Sequence, residues 1–209
     1  MPNNYCQTFK QKIKELKGKA QSIAGLLLKY KETGDEKIAQ QLERELKRIL
    51  KEIEEFKKEY TAKVKELLIE WYPKKENINE FLQNLKINEK GRVEIERLDL
   101  SRCNLSGTLY LPSLFEKIKI LSCSDNQLTS LPKLPDGLKE LDCSFNQLTS
   151  LPELPDGLEI LSCDSNQLTS LPELPNGLKE LYCYFNQLSP ETIQRIKSHP
   201  NYDPLNWKF

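Results

Sequence analysis

The chain has 209 residues, 31 Lys and Arg against 31 Asp and Glu, one His, six Cys and 38% apolar residues. That length holds one large domain or two small ones, and an apolar share below that of an ordinary compact domain implies that part of the chain is thin or elongated. Zero net charge, if evenly spread, argues against a wholesale nucleic-acid or membrane-surface binder, and no apolar run nears the roughly 18 residues of a membrane span.

The stretch Ile23 to Leu28 is too short, and too embedded in charged sequence, for a signal peptide. A soluble chain without a readable export signal is expected. From Tyr5 to Glu32 the spacing predicts a first helix, with Phe9, Ile13, Leu16, Ala20, Ile23, Leu27 and Tyr30 on one face. Thr33-Gly34-Asp35 reads as a stop and then a new N-cap.

A second helix runs to about Trp71, ahead of Pro73, on a stripe of Ile38, Leu42, Leu46, Ile49, Ile53, Phe56, Tyr60, Val64, Leu67 and Trp71. At 1.5 Å per residue it is about 55 Å long, so residues 1–73 are expected to form an antiparallel hairpin, a coiled-coil-like arm. Leu26 and Leu28 widen the apolar stripe beyond one seam, which calls for a third surface: the C-terminal domain or a second protomer. Residues 74–94, with a short helix from Asn77 to about Leu85 and a turn at Asn88-Glu89-Lys90-Gly91, are expected to cap the N-terminal edge of that domain.

Charge divides the chain. Residues 1–90 hold 20 basic and 15 acidic side chains and residues 91–209 hold 11 and 16, giving +5 and −5. Seven Lys against Glu15 and Glu32 make the first helix basic. A solvated face complementing carboxylates of the second helix is favoured over a nucleic-acid contact, because the aromatic and Arg interleaving that stacks bases is absent. Neither nucleic acid nor a membrane is expected as a partner.

From Leu131, Leu151 and Leu171 the chain reads LPKLPDGLKELDCSFNQLTS, LPELPDGLEILSCDSNQLTS and LPELPNGLKELYCYFNQLSP, a strict period of 20 residues. IKILSCSDNQLTS from Ile118 fits the same frame, and IERLDLSRCNLSGTLYLP from Ile95 fits it with one inserted residue, so residues 95–189 make five units. Alternating apolar positions predict a short inward-packed strand in each unit. The two prolines of LPELP keep the return leg extended, and Gly137, Gly157 and Gly177 sit where a turn needs φ > 0 or an unhindered backbone. Asn126, Asn146, Asn166 and Asn186 are expected to form an internal ladder of amides satisfying backbone groups.

Cys123, Cys143, Cys163 and Cys183 occupy the inward position that Leu100 holds in the first unit, whereas Cys103 stands at the Asn position and Cys6 lies outside the array. Strands about 4.8 Å apart hold Cβ atoms too far apart for a disulfide, and parallel thiols do not converge as zinc ligands do. Free, buried, structural thiols and a reducing, cytoplasmic compartment are expected, with no metal and no cofactor. Ser189-Pro190-Glu191 reads as an N-cap with Pro at the first helical position. It opens a C-terminal capping helix and tail over 190–209, with Ile193 and Ile196 inward and His199 solvated at its end.

The outward strand positions form columns: Arg97, Ile120, Glu140, Ile160, Glu180; Asp99, Ser122, Asp142, Ser162, Tyr182; Ser101, Ser124, Ser144, Asp164, Tyr184; and Arg102, Asp125, Phe145, Ser165, Phe185. Units two and four are alike, as are three and five. Tyr182, Tyr184 and Phe185 gather in the last unit beside Phe145, with Glu140, Asp142, Asp164 and Glu180 around them and Ile120 and Ile160 along the same face. These ten residues are the candidate partner-binding set. For Phe145 and Phe185 the alternative is that the rings fold over the strand ends against the cap.

The phrase LPxLPxGLxxLxCxxNQLTS resembles the short leucine-rich repeats of bacterial effectors of the Yersinia outer protein M and invasion plasmid antigen H type, over about residues 95–189. The resemblance implies an α+β fold, an N-terminal helical hairpin leading into a leucine-rich repeat solenoid of parallel strands and a C-terminal capping helix. It further implies a protein-binding scaffold, presenting its concave face to another protein. One branch of that family carries a C-terminal ubiquitin-ligase domain with a catalytic Cys; ending at Phe209, the chain is expected to lack it, and no catalytic residue is assigned. Cys in the strand column departs from those effectors, so delivery into a host cytosol is not legible. Homo-oligomerisation through the hairpin, with the repeats as a spacer, is the alternative.

Overall fold

The structure is a computed structural model that describes residues 2–72, 86–88, 92–111, 115 and 117–209, with the side chains of residues 2–7 and 71 outside that description. The expected helix over 77–85, most of the turn at 88–91 and the Cys6 thiol therefore lie outside the described residues. Contacts divide the chain into two units, residues 1–67 with 87–91 and residues 68–86 with 92–209.

In the first unit, helices α1 (Pro2–Thr33) and α2 (Glu36–Trp71) form the hairpin. Gly34 turns the chain at φ 77°, and the Asp35 carboxylate accepts the Ile38 N–H at 3.2 Å as the cap of α2. Phe9, Ile13 and Leu16 of α1 are buried with Ile49, Ile53, Tyr60 and Val64 of α2. The Phe9 ring stacks on Tyr60 at 4.0 Å and on Phe56 at 5.6 Å. Lys12–Glu52 at 3.5 Å and Lys31–Glu43 at 2.6 Å link the basic α1 to carboxylates of α2, which has nine Lys and Arg against nine Glu, although exposed pairs of this kind contribute at most about 1 kcal/mol each. Ile38 is exposed rather than on the seam. The last turn of α2 belongs to the second unit, where Leu68 and Tyr72 are buried and the Tyr72 hydroxyl donates to Tyr110 O at 2.6 Å.

The second unit is a solenoid. Strands β1 (Arg97–Asp99), β3 (Ile120–Ser122), β5 (Glu140–Asp142), β6 (Ile160–Ser162) and β7 (Glu180–Tyr182) stack in parallel, joined at the end by β8 (Trp207–Lys208). Register is constant, Leu98, Leu121, Leu141, Leu161 and Leu181 standing opposite one another, and all five are buried. Each strand has only three residues because the sequence then turns through the Asn position. A second pair, β2 (Ser106–Thr108) with β4 (Gln127–Ser130), forms where the longer first repeat runs beside the second.

Of the two alternatives at Gly137, Gly157 and Gly177, positive φ is not found, and a Cβ at Gly137 would meet nothing within 4 Å; among the described residues positive φ falls at Gly34 and Gly107 and at Arg102, Asn104, Asp125, Phe145, Ser165 and Phe185. The left-handed bend comes after the strand, whereas the turn before β5, β6 and β7 closes without positive φ, the Leu138, Leu158 and Leu178 N–H groups donating to Pro135, Pro155 and Pro175 O at 2.9 to 3.1 Å.

Helix α3 (Pro190–Lys197) closes the array, the Ser189 hydroxyl accepting the Thr192 N–H at 3.2 Å. Thr192 and Ile196, not Ile193, are its buried residues. The sequence gives no sign of the tail's strand: β8 pairs in parallel with β7, and the tail accepts from Leu181 N–H at Asn206 O, 3.1 Å, and from Cys183 N–H at Lys208 O, 2.8 Å. Trp207 is buried, its indole N–H donating to Lys179 O at 2.9 Å. His199 is not solvated at its tip: its ring lies 4.8 Å from that of Trp207, and Nε2 is buried without a partner.

Candidate functional site

The face of the sheet is held in place from behind. Asn146 Nδ2 donates to Cys123 O, Cys143 O and Ser144 O at 3.0 to 3.1 Å while Oδ1 accepts the Leu128 N–H at 2.9 Å. Asn126, Asn166 and Asn186 repeat the pattern, so each amide ties its own unit to the one before. Cys103, Cys123, Cys143, Cys163 and Cys183 are buried and not in disulfides. Burial, with Asp142 nearby, pushes the Cys123 thiol up to about 12, and burial likewise raises Cys143. A hydrogen bond with Cys183, then burial, raises Cys163. Cys123, Cys143 and Cys163 stay protonated and inert, as packing residues do.

On the other side of the strands the candidate residues fall into rows. Ile120, Glu140, Ile160 and Glu180 stand opposite one another across β3, β5, β6 and β7, all half-buried. Asp142, Ser162 and Tyr182 form the next row, and the Tyr182 hydroxyl donates to Glu180 Oε2 at 3.0 Å. Asp164 accepts the Tyr184 N–H at 2.5 Å, and burial with the neighbouring Asp142 charge holds its carboxyl above the usual range.

Tyr184, Phe145 and Phe185 are 45, 56 and 84% exposed. The Phe rings therefore do not fold over the strand ends. Phe185 lies 6.3 Å from the Tyr184 ring, whereas Phe145 is separated from it by the Ser165 unit, about 10 Å for two strand spacings. Sequence spacing alone therefore groups Phe145 more tightly with the last unit than the structure does. The feature that sequence reasoning missed is the backbone beneath them: Phe145 and Phe185 both have φ 53°, a region that bulky L-residues avoid.

Against known proteins, residues 94–118 match the model described as Leucine Rich Repeat and residues 116–156 that of Leucine Rich repeats (2 copies). With the 20-residue frame, the inward leucine column and the Asn ladder, this decides the matter. These are leucine-rich repeats.

Two solved structures with similar repeats are YopM from Yersinia enterocolitica WA-314 and a Shigella effector LRR domain. Each is 41% identical over 45% of this chain, at a TM-score of 0.42. The chain covers 20% of the first and 42% of the second, well under two thirds of either. None of the curated proteins matches it. Among the described residues no group of three or more His, Cys, Asp or Glu is placed to hold a metal ion, and no helix is long and apolar enough to cross a membrane.

Proposed function

We propose that the chain is a non-enzymatic scaffold that binds another protein on the concave face of its leucine-rich repeats, centred on Tyr182, Tyr184 and Phe185 and extending through Glu180, Asp164, Asp142 and Glu140 to Phe145, Ile160 and Ile120. One observation carries this reading. Two Phe side chains, more than half exposed, stand on left-handed backbone in a row whose other members are Arg, Asp and Ser. Stability favours neither the exposure nor the conformation, and strained, exposed aromatics on a rigid scaffold are a reason to look for a ligand. Buried high-pKa thiols fit a reducing compartment, the cytoplasm or a host cytosol reached in the manner of an effector. In a partner-affinity measurement, Tyr182→Ala with Tyr184→Ala weakens binding by about 2 kcal/mol or more. Unchanged affinity excludes this face.

A second reading, assembly of copies through the hairpin, is favoured by Leu26 and Leu28, which are 46 and 66% exposed on α1, with Ile38 exposed on α2. Light scattering separates the two. A mass that stays monomeric across concentrations removes the assembly, and a dimer that is lost on Leu26→Lys with Leu28→Lys supports it.

A further inference from the structure

The acidic side chains of the solenoid are treated in two different ways. Beside the sheet, where each strand begins, Glu96, Lys119, Lys139, Glu159 and Lys179 make a ladder of ion pairs: Lys119–Glu96 at 2.6 Å, Lys139–Glu159 at 3.1 Å and Lys179–Glu159 at 2.5 Å. On the sheet face, Glu140, Asp142, Asp164 and Glu180 pair with no Lys or Arg among the described residues. Their polar contacts are uncharged: Ser144 N–H at 3.1 Å and the Ser122 hydroxyl at 3.4 Å for Asp142, the Tyr184 N–H for Asp164 and the Tyr182 hydroxyl for Glu180.

Lys119, Lys139 and Lys179, one column away, are already spent on other carboxylates, and Lys208, which stands opposite Tyr182 at the end of the row, donates to Pro204 O at 2.9 Å. Between Asp142 and Tyr182 the row is completed by Ser162, a side chain too short to fill the space between its neighbours. Carboxylates and phenol rings thus occupy neighbouring positions on one face. A guanidinium or ammonium group gains from both, through charge-assisted hydrogen bonds to the carboxylates and attraction to the ring faces.

Resting on the scaffold reading above, we infer that the partner presents a cationic segment to this face, placing a Lys or Arg side chain over Asp142 and Asp164 with the Tyr182 and Tyr184 rings alongside. Charge complementarity selects this occupant: the four face carboxylates lie in a region of net −5, and an acidic or purely apolar segment would leave them buried and unpaired. Asp164, partly desolvated and next to a like charge, gains most from an incoming cation.

The test pans a random peptide library against the intact protein and measures the affinity of enriched peptides for the parent and two double variants. Peptides rich in Lys or Arg that bind at least about tenfold more weakly to Asp142→Asn with Asp164→Asn, at an unfolding midpoint not lowered by the substitutions, support the inference. Peptides that lack basic residues, or that tolerate the Asn pair yet lose binding to Tyr182→Ala with Tyr184→Ala, overturn the cationic partner and leave the scaffold reading standing. Enrichment of no peptide, or of peptides indifferent to both variants, overturns both.

Discussion

Phe185 occupies a backbone conformation that disfavours it. Its row, Arg102, Asp125, Phe145, Ser165 and Phe185, has φ between 51 and 56°, and each of the last four immediately precedes a ladder Asn. The left-handed residue reverses the chain so that the next amide can point into the core. For most L-residues this conformation costs about 1–2 kcal/mol, whereas Asn adopts it readily. Phe185→Asn should therefore raise unfolding stability by about 0.5–1 kcal/mol in a urea titration while weakening the partner; a loss of stability would show that the ring is structural. None of this is legible in the sequence, because the row carries no Gly or Asn to mark a positive φ, whereas the Pro-Asp-Gly tripeptides draw that expectation to the wrong turn. The aromatic residues themselves are legible, since the 20-residue frame places them outward without any coordinates.

Strands of three residues do not hold a sheet by their own hydrogen bonds, and the Asn column supplies what they lack. Asn146 is buried and serves four backbone groups in two successive units. Asn146→Ala leaves these groups without that partner, at about 1–3 kcal/mol for each one left truly unsatisfied. A loss of at least about 2 kcal/mol is expected, with a lower urea midpoint; an unchanged midpoint would defeat the ladder as the source of rigidity. This element is readable because its side chain recurs every 20 residues. Strand β8 is not readable: two residues after Pro204 carry no alternation, and only the unpaired edge of β7 explains why they extend. Likewise Thr192 displaces Ile193 inward because the Ser189 cap sets the rotation of α3, a detail that apolar pattern cannot convey.

Across the whole molecule, zero net charge conceals two modules of opposite sign. In the hairpin much of the charge is answered internally, Lys12 and Lys31 of α1 pairing with Glu52 and Glu43 of α2. In the solenoid the ion pairs border the sheet and leave its face negative. The proposed surface thus combines a backbone fixed by the ladder, aromatic side chains that stability does not call for, and carboxylates without cations. The most direct test of that surface places a photoreactive benzoylphenylalanine at Tyr184, and, as a control, at Gln147, an exposed position outside the face. After irradiation in extract from cells that express the protein, a binding face at Tyr184 yields a cross-linked partner band from position 184 that position 147 does not produce. Equal bands from both positions, or a band from position 147 alone, would contradict it.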